Sequence, residues 1–149
     1  MTKWKPPQFI RATAQAVIFH EGRVLVYEGA DNLKNENFYR PIGGTVEFLE
    51  PAKDTVIREF KEEAGVDVED PVLLGVLENI FTHEGHQGHE IVQVFRCRFR
   101  DPSYYRQEEF PLVEGDRNLG KAVWKSVEYL ARPEIRFYPT GMKEIIGQL

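Results

Sequence analysis

Residues 44–66, GTVEFLEPAKDTVIREFKEEAGV, decide how the rest of the chain is read. Pro51 suits the first position of a helix, and Ala52, Val56, Phe60 and Ala64 recur at fourfold spacing with Ile57 beside them before Gly65 supplies a stop. The spacing predicts an amphipathic helix. On it Glu59, Glu62 and Glu63 stand at i, i+3 and i+4, so their directions fall within about 100° of one another. Crowded like charges raise carboxyl pKa values, and hard oxygens gathered in one place suit Mg²⁺ or Mn²⁺. Taken alone, the triple is weak evidence and reads first as a solvated acidic helix face.

Around this segment the chain has 149 residues, 42% hydrophobic and 29% charged. That predicts one domain, 1–149, with a sizeable core, and excludes disordered, collagenous and disulfide-scaffold classes. A net charge of −5 argues against long nucleic acid as a partner, because neutralising its phosphates needs a basic surface. The acid is concentrated: residues 47–70 hold nine acids against Lys53, Arg58 and Lys61. The single Cys97 forms no intramolecular disulfide, the start MTKWKPPQF lacks the apolar core of a signal peptide, and no apolar run approaches the ~18 residues of a membrane span. A cytoplasmic protein without membrane contact is the expectation.

Residues 12–19 and 23–28 read as a β-hairpin about Glu21-Gly22, and 29–37 as a polar loop. Phe38-Tyr39-Arg40 reads as a short strand stopped by Pro41 and by Gly43-Gly44, a loop where the backbone takes positive φ or approaches a ligand closely. Residues 72–81 and 90–99 read as a second hairpin joined by THEGHQGH, 100–120 as a long loop, and 121–126 as a strand around Trp124. Thr140 is expected to cap a final helix with Met142, Ile145, Ile146 and Leu149 on its apolar side.

The spacing from Gly44 then becomes specific: five residues to Glu50, seven more to Arg58, followed by Glu59, Glu62, Glu63 and Gly65. This resembles the Nudix box of the MutT/Nudix hydrolases at every defined position. At ~6% per specified residue, seven fixed identities arise by chance about once in 10⁹ windows. Two flanking positions depart from the common pattern, with Ile42 where a proline usually precedes the glycines and Leu49 where a glycine often precedes the first glutamate. The resemblance implies an α+β fold, a three-layer α/β/α sandwich with a mixed sheet. It implies a pyrophosphohydrolase that cleaves a phosphoanhydride in a nucleotide or in a nucleoside diphosphate linked to another moiety. By position, Glu59, Glu62 and Glu63 would ligate Mg²⁺ or Mn²⁺ with the Gly43 carbonyl, while Arg58 would pair with Glu50 or Glu59 to orient a carboxylate. The general base stays open between Glu59 and a later acid, Glu108, Glu109 or Glu114.

The expected partner is a small nucleotide, and a homodimer is compatible with the resemblance. Arg40 is a candidate for a distal phosphate, and Phe38, Tyr39, Phe81 and Tyr138 are candidate stacking platforms, each balanced against a surface or core role. His83, His86 and His89 read as a polar turn, a specificity loop or a transition-metal site, and Cys97 as a core thiol. The sequence signatures of ADP-ribose, diadenosine polyphosphate, coenzyme A and NADH hydrolases are missing. Nucleoside triphosphates and nucleotide sugars remain. The alternative function is a Nudix-fold sensor that binds nucleotide without turnover, against which the intact Arg58, Glu59, Glu62 and Glu63 speak.

Overall fold

A computed structural model describes residues 4–149; Met1–Lys3 of the expected leader lie outside the described residues. The strands are β1 (Ile10–His20), β2 (Arg23–Asp31), β3 (Glu36–Arg40), β4 (Ile42–Thr45), β5 (Val68–His83), β6 (His86–Phe99), β7 (Glu109–Glu114) and β8 (Arg117–Ser126). The helices are α1 (Ala52–Ala64), α2 (Val127–Leu130) and α3 (Met142–Ile146). The strands run in the order β5-β6-β1-β2-β8-β7, with β3 added on β2 and β4 on β1. β1 and β6 pair in parallel through nine residues, Ile10↔His89 to Ile18↔Cys97, while the other strand pairs are antiparallel, so the sheet is mixed.

Alternation along the strands explains the layers. On β1, Ala14, Ala16 and Ile18 join Val56 and Phe60 of α1, Phe95, Cys97 and Phe99 of β6 and Trp124 of β8 in one buried cluster. Val17, between them, faces the opposite cluster with Val92, Val94, Leu130, Met142 and Ile146. Period-two side chains on a sheet with helices on both faces give the expected α/β/α sandwich. Cys97 is buried in the first cluster, and burial pushes its thiol up to about 12.

Several local expectations are corrected. The polar loop 29–37 shrinks to residues 32–35, because Gly29, Ala30 and Asp31 pair with Phe38, Asn37 and Glu36; the buried Asp31 carboxylate holds the turn by accepting the Leu33 and Lys34 N–H groups. The connection THEGHQGH is strand on both sides of a two-residue turn, Glu84-Gly85, with φ of 50° and 80°. The supposed long loop holds a 3₁₀ turn (Pro102–Arg106) and β7, which pairs with β8. Pro51 is the N-cap of α1 with extended backbone rather than its first residue. Thr140 does not cap α3: Gly141 occupies that position, and Thr140 instead donates to the Asn79 side chain. Sequence reading also missed α2, whose Ser126 side chain accepts the Tyr129 N–H.

Gly65 ends α1 at φ 71°, its N–H donating to the Lys61 carbonyl. A side chain in that conformation costs about 1 kcal/mol or more. Gly65→Ala is therefore expected to lower Tm by about 3 °C, read by thermal melting followed by circular dichroism; an unchanged Tm would mean that the stop carries no strain.

Candidate active site

The site begins with a packing constraint. Gly43 and Gly44 lie in β4, opposite Gln15 and Ala14 of β1, and neither is among the positive-φ glycines, so the expected left-handed loop is not there. Close approach is what requires glycine. A Cβ on Gly43 would sit 2.7 Å from the Gln15 Cα, and one on Gly44 would sit 2.6 and 2.7 Å from the two carboxylate oxygens of Glu59. The bare β4 backbone thus gives α1 room to lay Glu59 against the sheet. Ile42, at the first departure from the common pattern, is a strand residue 1% exposed in the core. Leu49, the second departure, has φ 69° and is 86% exposed. A glycine there would carry less strain.

Arg58 ties these pieces together. Its Nε and Nη2 donate to the two oxygens of Glu50 at 2.7 and 2.9 Å, a bidentate pair, and Nη2 also donates to the Thr45 carbonyl at 3.1 Å. Nη1 donates to Glu59 at 2.9 Å and to Glu62 at 3.3 Å. Glu50 further accepts from the Thr55 hydroxyl at 2.7 Å and the Glu47 N–H. The Arg58 guanidinium, with Thr55 and the Glu47 N–H, holds the Glu50 carboxyl at about 2, and these carboxylates in turn raise the Arg58 pKa.

Glu63 is different. It has no hydrogen bond or ion pair to another described residue, and burial pushes its carboxyl up to about 7; the field of Arg40 opposes this, and those of Glu59, Glu114 and Glu62 add to it. Burial likewise raises Glu59 against the pull of Arg58. Desolvation therefore outweighs the mutual crowding that the sequence suggested as the cause. Among the described residues no three His, Cys, Asp or Glu side chains converge as they stand to hold an ion, since Arg58 occupies the middle of the cluster. The donor set nevertheless suits a hard divalent cation, with Glu63 half-buried and unneutralised beside Glu59 and Glu62.

The remaining candidates fall in distinct places. Glu108, Glu109 and Glu114 are all exposed, Glu109 pairing with Lys121 at 2.9 Å and Glu114 with Arg117 at 3.6 Å, and of the three it is Glu114, at the end of β7, whose field acts on Glu59 and Glu63. Arg40 lies over the Tyr27 ring at 4.7 Å, within the field of Glu63. Tyr39 is a core residue: its ring packs on Tyr129 and its hydroxyl lies 3.3 Å from that of Tyr129, so it is not a stacking platform. Phe81 stacks on Trp4, with ring centroids 6.4 Å apart. Phe38 meets Tyr27, Tyr138 and His83 edge-on. The three histidines do not gather. His83 and His86 face each other across the turn, while His89, one strand position out of phase, pairs with Glu78 at 2.9 Å. Sequence reading missed Tyr27 and Trp4, whose aromatic rings gave no spacing signal.

Without metal, the raised Glu63 pKa has a definite sign. Its stabilising contribution is complete below about 4.5 and is lost as pH rises through about 7, because the unfolded chain releases the proton first. Glu50 is the converse, stabilising above 4.5 and losing that contribution as pH falls through about 2. In EDTA, Glu63→Gln is expected to melt above wild type at pH 8 and level with it at pH 5. A constant difference across that range would show that Glu63 ionises normally.

A model of the NUDIX domain matches residues 10–139. No curated protein sequence matches the chain significantly. Among solved structures, a MutT NUDIX hydrolase from Burkholderia pseudomallei superposes with TM-score 0.67 at 25% identity, covering 95% of this chain and 99% of its own. A MutT protein from Bacillus halodurans gives 0.63 at 20% identity, covering 92% and 80%. An ADP-ribose pyrophosphatase from Streptococcus suis gives 0.60 at 18% identity, covering 93% and 90%. The last two likenesses bear on the fold alone, whereas the family match spans most of the chain together with the Gly44, Glu50, Arg58 and glutamate framework. The chain belongs to the NUDIX hydrolase family.

Proposed function

We propose that the protein is a divalent-metal-dependent pyrophosphohydrolase, cleaving a phosphoanhydride bond in a nucleotide or in a nucleoside diphosphate linked to another moiety. The observation that carries this reading is the half-buried, unneutralised Glu63 next to Glu59 and Glu62, with Arg58 orienting the cluster from the side of Glu50. Glu59, Glu62 and Glu63 would hold Mg²⁺ or Mn²⁺, together with the Gly43 carbonyl. When bound, the cation polarises the phosphate and supplies a water acidic enough to lose its proton near neutral pH.

The chain's own residues do the rest. Arg58 fixes the Glu59 carboxylate through one N–H and Glu50 through two, and so opposes the burial that raises the Glu59 pKa. Glu59 is the proposed acceptor of the attacking water's proton; Glu114, the acid of the 108–114 region whose field reaches Glu59 and Glu63, is the alternative. Arg40, whose field acts on Glu63, offers its guanidinium to a phosphate on that side. The sensor reading finds no support in this geometry, because nucleotide binding alone gives no reason to bury acids against a single arginine. The proposal extends to one domain over 1–149 acting in the cytoplasm; among the described residues no helix is long and apolar enough to cross a membrane.

Glu62→Gln and Glu63→Gln are expected to lower kcat by ~10²-fold or more with the fold intact, and EDTA to abolish turnover. Hydrolysis in ¹⁸O-labelled water tests the bond broken: the label should enter one phosphorus of an anhydride and release a nucleoside monophosphate. Comparable cleavage of a simple phosphomonoester, or activity of both variants within a few-fold of wild type, would contradict the proposal.

A further inference from the structure

Away from the box carboxylates, exposed apolar side chains gather on one face of the sheet. Residues directly opposite on paired strands share a face. Ile80 of β5, His89 of β6 and Ile10 of β1 therefore stand in one row, Glu78, Ile91 and Ala12 in the next, and Val76, Gln93 and Ala14 in a third. Helix α1 covers this face only further along, where Ala14, Ala16 and Ile18 are buried with Phe95, Cys97 and Phe99. The rows short of it stay open: Ile80 is 67% exposed, and Ile10, Ala12, Val76 and the neighbouring Leu73 are exposed too.

Two flanks complete the patch. The Val46 N–H donates to the Ala12 carbonyl at 3.0 Å, which starts the loop before α1 beside the open rows. In that loop Phe48 is 92% exposed, and Leu49 is exposed on left-handed backbone. At the other flank Pro6, Pro7 and Phe9 line, with Ile10, Ile80 and His89, a groove of about 910 Å³. Ile10 and Ala12 are two strand steps, about 7 Å, apart. One surface of the chain thus carries a projecting apolar pair and an apolar groove side by side. At ~100 Å² for a large aliphatic side chain and ~200 Å² for a phenylalanine, the exposed apolar area comes to about 600 Å². That is the upper end of what a monomer leaves open. A stable interface takes about 800 Å² from each partner, somewhat over half of it apolar, which this face supplies.

We propose that this face binds a second copy of the chain across a two-fold axis, Phe48 and Leu49 of each copy entering the groove along Ile10 and Ile80 of the other. A two-fold interface needs a surface that complements itself, one residue meeting a second on the partner while that second meets the first. A groove with its plug beside it satisfies that condition, whereas an unrelated partner would have to match both. Charge permits the contact. Glu78 is the acid in the three rows, and His89 Nε2 lies 2.9 Å from its carboxylate, so two like faces meet without an unpaired acid between them. The association goes beyond the proposed reaction and does not depend on it.

Sedimentation of the full chain between 1 and 200 µM tests this, with Phe48→Ala removing the plug, Ile80→Lys spoiling the groove, and Val113→Lys altering an exposed apolar residue on β7 instead. Melting curves confirm that each variant folds. The wild type is expected to reach twice the monomer mass within that range. Phe48→Ala and Ile80→Lys should each weaken association at least tenfold, and Val113→Lys should leave it within twofold. Mixing the first two variants is the sharper arm. Their heterodimer regains one intact plug and groove, which neither homodimer has, so the mixture should associate more tightly than either variant alone. A wild type that stays monomeric at 200 µM, a dimer indifferent to both variants, or a mixture no tighter than its parts would overturn the proposal. None of these readouts involves turnover, so the hydrolase reading stands or falls separately.

Discussion

One guanidinium organises the acidic site. Arg58 is shared among Glu50, Glu59 and Glu62 and also reaches the Thr45 carbonyl, so a single side chain links the end of β4, the loop before α1 and the exposed edge of α1. A planar fork of five donors can do this and an ammonium cannot. Because Glu50 takes two of those donors in a bidentate pair, the direction in which the remaining Nη1 points is set by the loop rather than by the helix alone. Glu59 is then pinned between Arg58 and the bare backbone of Gly44, which leaves Glu63, one turn further along, with burial and only the more distant field of Arg40 against it. A divalent cation would resolve that electrostatic imbalance.

The glycine pair shows how a correct residue choice can carry the wrong reason. Gly43-Gly44 suggests positive φ or a close approach to a ligand, yet both residues are extended strand, and the close approach that demands their small size is to Gln15 below and Glu59 above. Leu49 is the mirror case. It occupies a left-handed conformation without being glycine, its side chain almost wholly exposed, so the strain is offset by no packing of its own. Local sequence therefore identified the positions that matter while misjudging which contacts act on them.

The same division runs through the fold. Helix α1 was legible because its apolar period, its proline and its glycine agree, as were the β1/β2 turn and the strand around Trp124. What escaped depends on distant partners. The parallel register of β1 on β6 joins residues about 80 apart, and nothing near either strand announces it. Strand β7, EFPLVE, contains a proline and alternates too briefly to stand out from a loop until β8 pairs with it. The final helix is shorter than its apolar pattern because Gly141 starts it at φ 94° and Gly147 follows Ile146. In the site, the glutamate triad and Arg58 were legible from spacing, whereas the separation of Glu114 from Glu108 and Glu109, and the burial of Tyr39, required the tertiary structure.

The central claim, that Arg58 arranges the box carboxylates for a cation, is tested most directly by equilibrium binding of Mn²⁺ followed through the electron paramagnetic resonance of the free ion. Arg58→Lys keeps the charge but loses the bidentate pair with Glu50, and groups that only orient metal ligands are worth 10- to 100-fold in affinity. Saturable binding by the wild type, weakened at least tenfold in Arg58→Lys with Tm within a few degrees, is the predicted result. Mn²⁺ affinity unchanged in that variant would contradict it.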